Sequence, residues 1–390
     1  MITEKGLLAA QEAKRTFAYP WVLSFLIGLA NLTRLPEAFI IFFFQTTSYF
    51  LTSAWVAKQL LWHSRKLSAF VYLALCSNVF IMPYLGITLT DAIYTSLVLG
   101  ATAILSRAQY YPKEQGKNTF SHYFTPLILF TTALVIRPAS VWLSLPIAVW
   151  ILFSSFERKH LNKLTFATLV ASIPLLIQIT INTLAFKTVT FFPASNLGSA
   201  QLVWGIENIK YATWLGNGAP QNNYFSKNLV NIVGAGDPIK WYISHPFQGI
   251  KLIFVKLFAA FDWDYLMPYP RKIPKFKWIP SIISFSVLFW GLTGVLLNAF
   301  KNCLPVLGLR YMPLLIFASW SAVTLSSALE LRFTLPMIGY FIISGTAAIH
   351  YLSQPDHRAT LKYYMGGWIL FMAFAVWMAR FVRSQAVVQW

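Results

Sequence analysis

Apolar segments that are long enough, or nearly long enough, to cross a lipid bilayer recur along the chain from residue 19 onward. A transmembrane helix needs about 20 mostly apolar residues, and about 17 to 25 are tolerated. The candidate segments are residues 19–33, 38–61, 69–86, 87–106, 123–136, 139–155, 165–186, 279–300, 311–328, 333–350 and 364–381. The first is short and could instead lie in the membrane interface. The pattern predicts an all-α polytopic membrane protein with about 10 to 11 transmembrane helices.

The composition supports this class and excludes others. The 390 residues are 57% hydrophobic and 11% charged, whereas soluble domains are about 45 to 50% apolar and about 25% charged. The net charge of +19 would suggest nucleic-acid binding in a soluble protein, but cytoplasmic loops of membrane proteins collect Lys and Arg, and anionic lipids attract them. We therefore expect membrane lipids as partners and no nucleic acid. The first eighteen residues have no apolar core, so no cleaved signal peptide is expected.

Basic residues outside the apolar segments predict the orientation of the chain. They concentrate in alternate loops, at Lys58, Arg65, Lys66, Arg107, Lys113, Lys117, Arg158, Lys159, Lys163, Lys301, Arg310, Arg358 and Lys362. These loops are expected in the cytoplasm. The tight hairpins on the other side hold Arg34, Arg137 and Arg332.

The same alternation places the polar stretch of residues 187–277 outside the cytoplasm. We divide the chain into N-terminal membrane helices (1–186), an extracytoplasmic loop (187–278) and C-terminal membrane helices (279–390) of one integrated membrane domain. Within the loop, residues 247–266 are apolar but contain Lys251, Lys256, Asp262 and Asp264. We predict an amphipathic helix in the outer interface, with a true crossing as the alternative.

We expect the functional site at the predicted outer face, where ionisable residues lie at the junctions between apolar segments. The junctions between apolar segments there hold five carboxylates: Glu37, Asp91, Asp262, Asp264 and Glu330. Ionisable groups at membrane depth are functional candidates by default. Converging carboxylates can act as a general base or as metal ligands, and arginine offers a planar fork to a phosphate. In the alternative reading, Glu330 with Arg332, and Arg34 with Glu37, are ion pairs that end helices.

For two of these carboxylates and for one histidine, the neighbouring residues in the chain suggest a more specific role. Asp262 and Asp264 are two positions apart on the predicted helix, so at most one of them would face a cleft. His245 could meet a lipid head group or cap a turn. No nucleotide-binding motif is present, which favours a lipid-carried donor over a nucleotide if the protein handles phosphate.

Several features occur in a characteristic order. Tyr19 and Pro20 open an apolar stretch, and a long apolar segment ends at Arg65 and Lys66. PYLGITLTD follows at residues 83–91, RP at 137–138, LP at 145–146 and ELRFTLP at 330–336. From residue 19 to the C-terminus, this order resembles the GT-C membrane glycosyltransferases that use polyprenyl-phosphate sugars, a class that includes protein mannosyltransferases and lipid A aminoarabinose transferases.

The resemblance implies an enzyme of the bacterial inner membrane that moves a sugar from a polyprenyl-phosphate-linked donor to an acceptor of the cell envelope. From the charged residues at the predicted outer face, taken together with this resemblance, we expect three roles for site residues: Arg137, Glu330 and Arg332 at the donor phosphate, Asp91 and Glu37 in catalysis, and Asp262, Asp264 and His245 at the acceptor or the interface. Participation of a divalent metal is left open.

The chain departs from the family at one point. The family carries its catalytic acid in a first outer loop, before the segment that resembles residue 19 onward, whereas only eighteen residues precede Tyr19. Either the chain starts late relative to its relatives, or Glu4, Glu12 or Glu37 has taken this role, or the protein does not catalyse.

Rival functions are a polysaccharide polymerase or ligase, and a non-catalytic transporter, flippase or assembly subunit. A transporter would place polar groups near mid-span in two related halves. This chain instead concentrates its charges at one predicted face and shows no two related halves.

Overall fold

The computed structural model describes residues 16–61, 63–107, 120–155, 161–187, 189–191, 197–216, 219–225, 237–263, 266, 278–304, 307 and 309–384. The helices of the first half are α1 (Ala18–Thr33), α2 (Glu37–Leu60), α3 (Arg65–Cys76), α4 (Met82–Leu85), α5 (Asp91–Arg107), α6 (Phe120–Ile136), a 3₁₀ helix (Pro138–Leu143), α7 (Ser144–Ser155), α8 (Leu161–Ala171) and α9 (Ile173–Phe186).

The second half contains helices and one β-hairpin. In chain order these are α10 (Leu197–Glu207), β1 (Lys210–Gly216), β2 (Ala219–Phe225), α11 (Pro238–Ser244), α12 (Pro246–Phe261), α13 (Trp278–Lys301), α14 (Met312–Trp320), a π-helical turn (Ser321–Leu325), a 3₁₀ helix (Leu331–Thr334), α15 (Leu335–Leu352), a 3₁₀ helix (Pro355–His357) and α16 (Arg358–Ser384). β1 and β2 pair antiparallel, with Lys210 opposite Phe225 and Gly216 opposite Ala219.

Five helices in the described part of the chain are long and apolar enough to cross a membrane: Glu37–Leu60, Leu161–Ala185, Trp278–Lys301, Leu331–Leu352 and Pro355–Ser384. Shorter apolar helices are Ala18–Thr33, Asp91–Leu105, Tyr123–Ile136, Pro138–Phe153 and Met312–Leu325. The all-α membrane fold predicted from the sequence is confirmed.

The chain forms two compact units. The first comprises Met1–Ser77, Tyr84–Ser195 and Pro305–Ile316, and the second comprises Asn78–Pro83, Asn196–Leu304 and Phe317–Trp390. In the first unit, α2 packs against α3 and α5, and α6 packs against α5 and α8. Two buried polar side chains of α2 reach backbone carbonyls: Gln45 Nε2 donates to Ile87 at 3.0 Å and the Tyr49 hydroxyl to Leu75 at 2.9 Å. Because lipid offers no hydrogen-bond partners, these two bonds within the protein satisfy a polar donor group of each side chain.

The second unit is built around the packing of α13 against α15, which is its most extensive helix pair. Gly291 and Gly294 lie on α13 where α15 approaches closely, and a Cβ atom at Gly294 would come within 2.2 Å of the Ser344 carbonyl oxygen. The Ser344 hydroxyl donates to the Gly291 carbonyl at 3.1 Å. Small residues at membrane-helix interfaces allow this close approach.

Several predicted spans are interrupted, and most of the breaks have local causes. The predicted 69–86 helix is wrong as one piece, since α3 ends at Cys76. Asn78 Oδ1 then accepts a hydrogen bond from the Phe80 backbone at 3.1 Å, which offers the chain an alternative to helical bonding. The candidate span 38–61 corresponds to α2, Glu37–Leu60. The long helix that the resemblance describes as ending at Arg65 and Lys66 therefore ends earlier, and Ser64 caps the following helix.

Other segments are also divided. Pro138 opens a 3₁₀ helix before α7, and Pro174 is the second residue of α9, which begins at Ile173 directly after Ser172. The helix predicted from residue 87 begins at Asp91, where a carboxylate favours the positive end of the helix dipole. The segment 311–328 ends in a π-helical turn.

The segment 247–266, predicted as an interfacial helix, contains the helix α12, which is shorter than predicted and ends at Phe261. Asp262 therefore follows the helix, contrary to the sequence prediction, and Asp264 lies outside the described residues. The exposed side of α12 includes Phe247 and Ile250, whereas Lys256 is fully buried. The region also contains α10, α11 and the β1–β2 hairpin, which were not predicted from the sequence.

Candidate functional site

Asp91 and Arg137 form an ion pair in the first unit. Asp91 is the first residue of α5, and Arg137 lies in extended conformation between α6 and a 3₁₀ helix; the following proline disfavours helical dihedrals at this position. Arg137 Nη1 donates to Asp91 Oδ1. The guanidinium carbon also lies 5.4 Å from the centre of the Tyr94 ring. The structure thus joins two candidates that are 46 residues apart in the chain.

Glu330 and Arg332 form the corresponding pair in the second unit. Arg332 Nε donates to Glu330 Oε2 at 2.7 Å, and the Arg332 guanidinium lies 5.7 Å from the centre of the Phe333 ring. Glu330 has an extended backbone and precedes the short 3₁₀ helix that contains Arg332. The ion pair in the alternative reading of this motif is therefore present.

The two pairs share one arrangement. In each, the carboxylate is buried and the arginine remains partly exposed, with side-chain exposures of 1% and 14% for Asp91 and Arg137, and of 7% and 19% for Glu330 and Arg332. A buried carboxylate fixes the guanidinium and supplies a compensating charge. Because a guanidinium has five N–H donors, such an arginine is suited to binding an oxyanion at its exposed edge.

Glu37 lies in a different environment. It is the exposed first residue of α2, and Arg34 is an exposed residue with φ of 58° that ends α1. No ion pair joins Glu37 and Arg34 in the described residues, so the alternative in which they pair is not found. The carboxylate of Glu37 is accessible from outside the protein.

Asp262 is the centre of a buried charge cluster. Arg383 contacts it with two bonds, from Nη2 to Oδ1 at 2.6 Å and from Nε to Oδ2 at 3.0 Å. The Ser281 hydroxyl donates to Oδ1 at 2.7 Å, and Lys210 Nζ lies 3.5 Å from Oδ2 and donates to the Asp262 backbone carbonyl at 2.9 Å.

This cluster keeps Asp262 ionised. Burial alone would raise the pKa of Asp262, but Lys210 and the hydrogen bonds and charge of Arg383 outweigh it, so the pKa lies below its ordinary value. With an exposed fraction of 0%, the carboxylate ties together four parts of the second unit. These partners were not predicted from the sequence, because Lys210 and Arg383 lie 52 and 121 residues from Asp262 in the chain.

His245 lies between α11 and α12. Its ring is exposed and stacks on Trp241, with 5.4 Å between ring centres, and its Nδ1 lies 3.2 Å from the Trp241 carbonyl oxygen. These contacts match the turn-capping alternative for this residue.

The described residues contain no group of three or more His, Cys, Asp or Glu side chains that could hold a metal ion. Comparisons of the chain with protein-family models, with curated proteins and with solved structures find no match.

Proposed function

We propose that the protein is an integral membrane glycosyltransferase that transfers a sugar from a polyprenyl-phosphate donor to an envelope glycan, lipid or protein acceptor on the extracytoplasmic face. The observation that carries the proposal is the repeated arrangement of a buried carboxylate behind a partly exposed arginine, in Asp91 with Arg137 and in Glu330 with Arg332. An arginine held in this way is suited to a phosphate.

In this proposal each arginine, within its own unit, can bind the phosphate of a lipid donor. Negative charge on the phosphate increases as the sugar leaves, so a guanidinium already fixed in place stabilises the transition state more than the ground state. Asp91 and Glu330 orient the arginines. Glu37, whose carboxylate is exposed, is the described candidate for accepting the proton of an acceptor hydroxyl.

The proposal is tested with purified protein in liposomes and two probes. The first is binding of unglycosylated polyprenyl phosphate, and the second is transfer from a panel of polyprenyl-phosphate-linked sugars to isolated envelope lipids and glycans. Arg137→Gln and Arg332→Gln should each weaken polyprenyl phosphate binding by about 10-fold or more, because charge-assisted hydrogen bonds contribute about 1.5 to 3 kcal/mol. Glu37→Gln should retain binding and lose transfer.

Matched controls are Arg358→Gln and Asp356→Asn, which change exposed residues outside both pairs. They should bind the lipid as the wild type does. If Arg137→Gln and Arg332→Gln also bind it unchanged, neither arginine binds the donor phosphate and the proposal fails.

A double variant separates binding from stability, because removing one partner of a buried ion pair can itself unfold a protein. Glu330→Gln combined with Arg332→Met removes both charges with little change in size. The single variants Glu330→Gln and Arg332→Met are measured beside it. If the double variant recovers lipid binding that a single variant has lost, the pair is only structural and the role of Arg332 is wrong.

A further inference from the structure

The backbone just before Arg332 is held by four different elements of the second unit. We call residues 326–330 the strap; it connects the π-helical turn to the 3₁₀ helix of Arg332. The strap's bonds are Ala328 N–H to the Gln201 carbonyl at 2.7 Å, Tyr211 N–H to the Leu329 carbonyl at 2.8 Å, the Tyr242 hydroxyl to the Ser326 carbonyl at 3.2 Å and Lys256 Nζ to the Ser327 carbonyl at 2.8 Å. These donors and acceptors come from α10, β1, α11 and α12.

Of the four contacts to the strap, the hydrogen bond from Lys256 is the one whose presence stability alone does not explain. Lys256 is fully buried, and no ion pair with a carboxylate is found for it in the described ranges. Burial lowers the pKa of Lys256 to about 7, because removing the ammonium group from water disfavours its charged form. An apolar side chain of similar length would avoid this penalty. What only the amine supplies is the hydrogen bond to the Ser327 carbonyl.

The neighbouring contacts leave the strap little room to move. A Cβ atom at Gly205 of α10 would lie 2.1 Å from the Ser326 carbonyl oxygen, so helix and strap backbones touch directly. On the other side, Tyr211 forms a parallel bridge with Glu330. The strap therefore fixes the backbone position of Glu330 and, through the main chain, that of Arg332 two residues later.

We propose that Lys256 and Tyr242 are positioning residues that hold the strap, and through it the Glu330–Arg332 pair, in the geometry that binds a lipid phosphate. The inference rests on the proposed function for its ligand. Neither side chain contacts the phosphate in this proposal. Each acts on a backbone carbonyl, and the effect reaches Arg332 through the main chain.

The test compares Lys256→Met and Tyr242→Phe with Lys251→Met and Tyr363→Phe. The two controls change an exposed lysine of the same helix and an exposed tyrosine of α16. Amide hydrogen exchange over residues 326–334, binding of polyprenyl phosphate and melting in detergent are measured for each. Lys256→Met and Tyr242→Phe should speed exchange of the strap by up to about 10-fold, as expected for the loss of one hydrogen bond. They should weaken phosphate binding, while Lys256→Met melts no lower than the wild type.

Two results would overturn the inference, and a third would separate it from the proposed function. Unchanged exchange in both variants shows that these side chains do not hold the strap. Faster exchange with unchanged lipid binding shows that the strap does not position Arg332. If the wild type itself does not bind the lipid but Lys256→Met still loosens the strap relative to Lys251→Met, the proposed function fails and the holding role stands.

A last pair of variants covers the case in which Lys256→Met does not fold. Gly205→Ala forces a methyl group against the strap backbone, whereas Gly198→Ala, on the same helix, meets nothing within 4 Å. Gly205→Ala should loosen the strap and weaken lipid binding, and Gly198→Ala should do neither. Identical behaviour of the two would contradict the proposal.

Discussion

The Asp262 carboxylate carries its charge in a fully buried position and is balanced by Arg383 and Lys210. Asp262→Asn removes the negative charge and leaves the two cations without it. Breaking a buried ion pair from one side costs about 3 to 5 kcal/mol, so we expect a clear fall in the melting temperature in detergent. Asp356→Asn, at an exposed site, should melt as the wild type does. If the two variants melt alike, the cluster does not stabilise the fold.

At the scale of single residues, the sequence reveals candidates but not their partners. Glu330 and Arg332 are close in the chain, so their ion pair can be foreseen from spacing alone. Asp91 and Arg137 can be foreseen only as members of one group of outer hairpins. The partners of Asp262 and Lys256 lie 19 to 121 residues away, and no local pattern in the sequence specifies them.

The contact between α13 and α15 gives a prediction at the scale of elements. Gly294→Ala places a methyl group where only 2.2 Å separates its position from the Ser344 carbonyl oxygen. The helices must move apart, and overpacking of this kind costs about 1 to 3 kcal/mol. Melting in detergent should fall. Gly366→Ala of α16 meets nothing within 4 Å and should melt at or slightly above the wild-type temperature; an equal fall in both variants would exclude close packing as the cause.

Apolar segments predict where most helices lie, because burial in lipid and burial in protein select the same residues. Helix breaks are harder to foresee. Asn78 and Pro138 interrupt apolar runs through local backbone bonding and dihedral restriction. The hairpin of β1 and β2 had one available signal, Gly216 followed by Asn217 and Gly218, since an Asn-Gly pair between strands is a strong hairpin signal.

For the whole molecule, the distribution of charge predicts which loops share a side of the membrane. Residues 113, 159 and 358 lie in or beside the basic loops, whereas residue 222 lies in the long stretch between α9 and α13. Because Lys and Arg are retained in the cytoplasm, a reporter fused at residue 113, 159 or 358 should report the cytoplasm. One fused at residue 222 should report the opposite side.

This orientation determines from which side a donor can reach the two arginines. The hairpins that contain Arg137 and Arg332 are predicted to share the side of residue 222, where polyprenyl-phosphate sugars would be presented to an enzyme of the proposed type. A fusion at residue 222 that reports the same side as one at residue 358 would reverse the assignment for the long stretch. The predicted grouping of the charged hairpins with that stretch would then fail, and with it the extracytoplasmic location of sugar transfer. Binding of polyprenyl phosphate at Arg137 would still have to be judged by its own variants, because the ion pair with Asp91 forms within one unit and does not depend on the orientation of the chain.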